Sequence, residues 1–120
     1  TPDSERARLT EAALDSMPAD VDAVFATDDL TAAAVLEWAR KRGHRVPEEF
    51  KVVGFDATAA MRRALPGLTT IQQPIDDLAL CAVDVLLGQI DARAEGVEPH
   101  EAESHSPAPL PIRLLTGITT

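Results

Sequence analysis

Residues 51–74 read KVVGFDATAAMRRALPGLTTIQQP, and the first six of them set the fold. Val52, Val53, Gly54 and Phe55 follow one another with no polar alternation, so this strand needs cover on both faces, as in a parallel sheet between helices. The run stops at Asp56. Pro66-Gly67 then interrupts the chain, Leu68–Gln72 forms a second short strand, and Gln73-Pro74 follows. A carboxylate at the carboxyl end of a parallel strand stands where open α/β sheets bind their ligands.

Working downstream, Pro74 at the first helical position and Asp76 and Asp77 in the first turn open a long helix to about Asp91. Its apolar residues, Ile75, Leu78, Ala79, Ala82, Val85, Leu86 and Ile90, recur at helical spacing. Residues 92–109 are charged, carry three prolines and show no periodicity, which predicts a loop. Leu110–Thr116 closes the chain as a strand. Upstream, the spacing predicts a helix over Asp3–Met17 with Leu9, Ala13, Leu14 and Met17 on its inner face, stopped by Pro18. Val21–Thr27 reads as a strand ending in Asp28-Asp29. Leu30–Arg42 reads as a helix with Ala32, Leu36 and Ala39 on one face, and Gly43 is its natural C′ residue. The alternation predicts an α/β domain, a three-layer, mostly parallel sheet.

The chain has 120 residues, enough for one core, and a formal net charge of −9. That charge repels phosphate backbones. The single cysteine, Cys81, has no disulfide partner within the chain and reads as a small core residue. No run reaches membrane-spanning length. The sequence holds no nucleophile–base arrangement, G-x-S-x-G, phosphate-cradling glycine loop or metal-ligand cluster, so neither an enzyme nor a cofactor is expected. A phospho-receiver domain needs a lysine downstream of its aspartate, and the only lysines are Lys41 and Lys51. His44 follows a helix end, and His100 and His105 read as residues of a solvated acidic loop rather than a metal site.

Asp28 and Asp56 each follow a strand, and a carboxylate there accepts hydrogen bonds from neighbouring hydroxyls. Gln73, after the third strand, both donates and accepts. Asp29 begins a helix, where capping accounts for it. The order and spacing of Asp22-Ala23-Val24-Phe25, Asp29, Ala32, Gly43, Val46-Pro47, Val52–Asp56, Leu68–Ile71 and Gln73-Pro74 resemble the C-terminal part of a LacI/GalR-family bacterial transcription regulator.

The resemblance implies a periplasmic-binding-protein type I fold, in which two α/β subdomains hold a small molecule between them. On that expectation, residues 1–56 and 110–120 belong to the C-terminal subdomain and 57–74 to the crossover. Residues 75–94 form a helix of the N-terminal subdomain, and 92–109 a loop. The implied ligand contacts are Asp28 (where Asn is usual), Asp56, Gln73 and Ile75. A two-fold dimer contact is implied at Ala33, Leu36, Trp38 and Ala64. The implied function is that of a cytoplasmic regulator's effector-binding domain, taking a sugar or related polar metabolite and acting as a homodimer. Operator DNA would be read only through a helix-turn-helix lying before residue 1. An extracytoplasmic sugar-binding protein of the same fold is the alternative, and the residues preceding Thr1 would separate the two.

Overall fold

The computed structural model describes residues 2–96 and 108–120. Its elements, in chain order, are α1 (Pro2–Asp15), β1 (Ala23–Phe25), α2 (Asp29–Arg42), β2 (Lys51–Asp56), α3 (Ala59–Ala64), β3 (Thr69–Gln72), α4 (Ile75–Ala94) and β4 (Arg113–Leu115). The chain divides into two compact units. The first runs up to Gln73 and takes in Arg113–Thr120; the second is Pro74–Ile112.

The first unit holds one four-stranded sheet in the order β1-β2-β3-β4. β1, β2 and β3 run parallel, and β4 is antiparallel to β3. In register, Val24, Val52, Gly54, Thr70 and Leu115 share one face, while Phe25, Val53, Phe55, Ile71 and Leu114 share the other. The first face meets α2: Ala32, Val35, Trp38 and Ala39 form a core with Val52, Leu68, Phe50, Ala26 and Leu14. On the second face, Phe25 is 63% exposed and Leu114 60%.

Several local expectations need correction. α1 does not turn Leu9 inward, and that side chain is 55% exposed. The helix is tied to α2 by polar contacts instead, Glu11 to Lys41 at 2.7 Å and Asp15 to Arg42 at 2.5 Å. Leu14 is its one buried core residue among those described. β1 covers only three residues, and Pro74 is the N-cap of α4 rather than its first helical residue, with no side-chain cap bond. α4 extends to Ala94, so residues 92–94 are helical rather than loop. The greater part of the expected loop, with His100 and His105, lies outside the described residues. Gly43 does end α2 in the left-handed conformation, at φ 78°.

The last four residues lace the lower edge of the sheet. Thr119 Oγ1 accepts from Thr69 N at 2.9 Å and donates to the Val52 carbonyl at 2.6 Å, joining the starts of β2 and β3. Val52 N donates to the Thr119 carbonyl, and Ile118 N to the Gly67 carbonyl, both at 2.8 Å. A Cβ on Gly117 would strike the Gly67 carbonyl oxygen, so only glycine fits this crossing.

Among the described residues of α4, none is buried, and no described helix is long and apolar enough to cross a membrane.

Candidate functional site

The three parallel strands all deliver polar side chains at the same end of the sheet: Asp28 and Asp29 after β1, Asp56 closing β2, and Gln73 after β3. The capping role expected of Asp29 falls to Asp28. Asp28 is the N-cap of α2, in an extended conformation, and its Oδ1 accepts from Thr31 N at 2.7 Å. Its Oδ2 accepts from Arg6 Nη1 at 2.8 Å. Burial pushes the Asp28 carboxyl up, but the Thr31 hydrogen bonds and the Arg6 guanidinium outweigh it and hold the group below its ordinary value.

Asp29, expected to be the cap, is only 2% exposed. Its Oδ1 accepts from the Thr70 hydroxyl at 2.6 Å, and its Oδ2 from Ala57 N at 2.9 Å. One carboxylate thus bridges the start of α2, the end of β2 and the middle of β3. The space it fills exists because position 54 lacks a side chain: a Cβ there would run into Asp29 Oδ1. Gly54, an isolated glycine inside an apolar strand, was the sequence signal for this close approach.

The contact from Ala57 N has a second consequence. Asp56 and Ala57 both hold positive φ, 106° and 50°. Each such non-glycine conformation costs on the order of 1–3 kcal/mol and persists only where the surroundings over-determine it. Here the surrounding constraint is the Asp29 carboxylate. The turn aims Asp56 so that its Oδ1 accepts from Gln73 Nε2 at 2.5 Å.

Asp28 and Asp56 line one cavity of about 420 Å³, together with Arg6, Leu30, Thr58 and Met61. Gln73 joins through Asp56. Ile75 is the first residue of α4, in the second unit, and is 56% exposed. Among the residues expected at a dimer contact, Ala33 and Leu36 are half-buried on α2, and Ala64 is exposed at the end of α3. Trp38 is different: it is 7% exposed in the core, stacks on His44, and its Nε1 donates to Asp15 at 2.8 Å. Most of its ring is packed inside the chain, against His44 and Phe50. Arg6 was missed by sequence reasoning, because nothing in a helical pattern says which strand end a surface arginine will reach.

The arrangement offers a carboxylate acceptor, Asp56, and a guanidinium donor, Arg6, around a cavity with some apolar wall. That set suits hydroxyl groups, which both donate and accept. Among the described residues no group of three or more His, Cys, Asp or Glu is placed to hold a metal.

Residues 2–114 match the periplasmic binding protein-like domain. The chain belongs to that family. The ribose operon repressor of Halalkalibacterium halodurans is 35% identical over 89 residues, covering 74% of this chain and 27% of the repressor. The sucrose operon repressor of Streptococcus mutans is 43% identical over 70 residues, covering 58% of this chain and 22% of the repressor. The chain therefore spans about a quarter of the length of the curated relatives it matches. Among solved structures, a LacI family transcriptional regulator from Arthrobacter sp. FB24 in complex with lactose superposes with a TM-score of 0.69 at 29% identity, covering 96% of this chain and 41% of the regulator. A LacI family regulator from Enterococcus faecium with bound ribose gives 0.66 at 26% identity, covering 98% and 40%. Fold and relatives agree: this is a periplasmic-binding-protein-like α/β domain whose relatives are LacI-family repressors and regulators.

Proposed function

We propose that this chain is part of the effector-binding domain of a bacterial LacI-type transcriptional regulator, and that its effector is a neutral sugar or similar polyhydroxylated metabolite. The observation that carries the reading is the strained Asp56 turn. A backbone held at positive φ, braced by a buried carboxylate, aims a second carboxylate at a glutamine beside an open cavity. Strain of that kind concentrates at binding sites. The lactose and ribose bound by the two solved relatives support the ligand class.

Asp56 and Gln73 are the proposed ligand contacts at the strand ends, with Ile75 as the apolar contact that the resemblance assigns; Asp28, which the resemblance also assigns, lines the same cavity with both oxygens already engaged. The division of the chain at Gln73 and Arg113 supports an assignment of the first unit to the C-terminal subdomain and of α4 to the other one. Residues 57–74 then form the crossover. A homodimer through α2 and α3, with Leu36, Ala33 and Ala64 in the contact, belongs to the same proposal. So do a cytoplasmic location, the lack of catalytic activity, and operator recognition by a helix-turn-helix outside this chain. The names of the curated relatives favour a repressor over an extracytoplasmic sugar-binding protein.

Calorimetric titration of the whole protein with ribose, sucrose and lactose tests the reading. Binding of one of them is expected. Asp56→Ala should then cost about 1.5–3 kcal/mol of affinity, the scale of a hydrogen bond to a charged group. Unchanged affinity in a folded Asp56→Ala protein would remove Asp56 from the site.

A further inference from the structure

Asp28 has both of its oxygens engaged within the chain, one by Thr31 N and one by Arg6. Arg6 is differently placed. It comes from α1, 22 positions away in sequence, and its side chain keeps 44% of its surface open. It is the one basic residue among those lining the 420 Å³ cavity. A guanidinium carries five N–H donors in a planar fork. Asp28 takes one of them, which draws the guanidinium to the cavity wall with further N–H groups to offer a ligand.

We propose that Arg6 is a ligand-contacting, specificity-determining residue of this cavity, and that Asp28 is the positioning residue that holds it. The inference rests on the sugar-binding reading above and deepens it. Arg6 donates where Asp56 accepts, so a polyhydroxylated ligand can give one hydroxyl hydrogen to Asp56 and receive a donor from Arg6 on another oxygen. The charge balance sets the ligand class. Asp28, Asp29 and Asp56 all line the cavity against one guanidinium, so a phosphate or carboxylate on the ligand meets net repulsion. The site selects an uncharged polyol.

The test is calorimetry on the whole protein with ribose, sucrose, lactose and, as an anionic probe, ribose 5-phosphate. With the neutral sugar that binds the wild type, Arg6→Gln should weaken affinity by at least about tenfold, the size expected for a lost charge-assisted hydrogen bond. Arg6→Lys, which keeps the charge but not the fork, should recover only part of it. Asp28→Asn should weaken binding less than Arg6→Gln does, and should add nothing in the Arg6→Gln background, because it acts only through Arg6. Melting temperatures check that each variant is folded, and Arg6→Lys remains informative if Arg6→Gln is not. Affinity within about twofold of wild type in a folded Arg6→Gln protein, with Asp56→Ala still impaired, would overturn this proposal and leave the sugar reading standing. Tighter binding of ribose 5-phosphate than of the neutral sugars would overturn the ligand class. If none of the three neutral sugars binds the wild type, the sugar reading fails and this proposal fails with it.

Discussion

Asp29 touches three elements with one carboxylate, so its removal is expected to be felt as stability before it is felt as binding. Asp29→Ala leaves Ala57 N and the Thr70 hydroxyl buried without their acceptor. Each stranded group costs about 1–3 kcal/mol, and urea unfolding should show a loss of roughly 3 kcal/mol or more. Asp29→Asn should lose far less, since its amide can accept from Ala57 N and donate to Thr70 Oγ1. Equal losses in the two variants would mean that charge, not hydrogen bonding, holds the turn. Asp28 makes a separate prediction through pH. Its folded carboxyl value lies below the ordinary one, so its contribution is present above the unfolded value of about 3.9 and is lost as pH falls through the folded value. Asparagine caps a helix as well as aspartate does. The stability gap between wild type and Asp28→Asn should therefore reflect the Arg6 pair, be widest near neutrality and close in acid. A gap independent of pH would dissociate Asp28 from that pair.

At the scale of elements, the lacing of β2 and β3 by Thr119 is the contact with the clearest expected cost. Thr119→Val keeps the shape and deletes the hydroxyl, leaving Thr69 N without its acceptor and the Val52 carbonyl without one donor. About 1–3 kcal/mol should be lost, with the denaturant slope unchanged; a change below about 0.5 kcal/mol would show that water replaces the hydroxyl there. None of this lacing was legible in the sequence, where Leu110–Thr116 read as a strand and the last four residues carried no signal. The β2 strand was legible, because four consecutive apolar or small residues ending in a carboxylate have few alternatives. So were α2, through its basic last turn and Gly43, and the placement of Asp56 beside Gln73. That Asp28 rather than Asp29 caps α2 was not. Capping preference ranks the two alike, and only the tertiary opening left by Gly54 decides which side chain turns inward. The inner face of α1 was misread for a related reason: its partners on α2 are charged, so apolar periodicity pointed to Leu9, which is exposed.

At the scale of the whole molecule, the outstanding feature is apolar surface. Along α4, Leu80 is 67% exposed, Leu86 55%, Val83 and Ile90 54%, and Leu87 53%, and none of its described residues is buried. A helix apolar around most of its circumference belongs inside a larger structure. Burying one such side chain is worth roughly 1.5–3 kcal/mol, so a handful together outweigh the cost of ordering a partner. In the first unit, the face of the sheet that carries Phe25 and Leu114 is a further exposed apolar surface. The 120-residue chain by itself is therefore expected to associate, while the net charge of −9 keeps the assemblies small at low salt and lets them grow as salt screens it. Sedimentation at micromolar concentration should show dimers or larger species whose size rises with salt, and an apolar dye should brighten on binding them. Ala substitutions at Leu80, Val83 and Leu87 together should shift the distribution towards monomer. A chain that stays monomeric at every salt concentration with α4 fully helical would show that this surface is tolerated in water, and the argument from burial would be wrong.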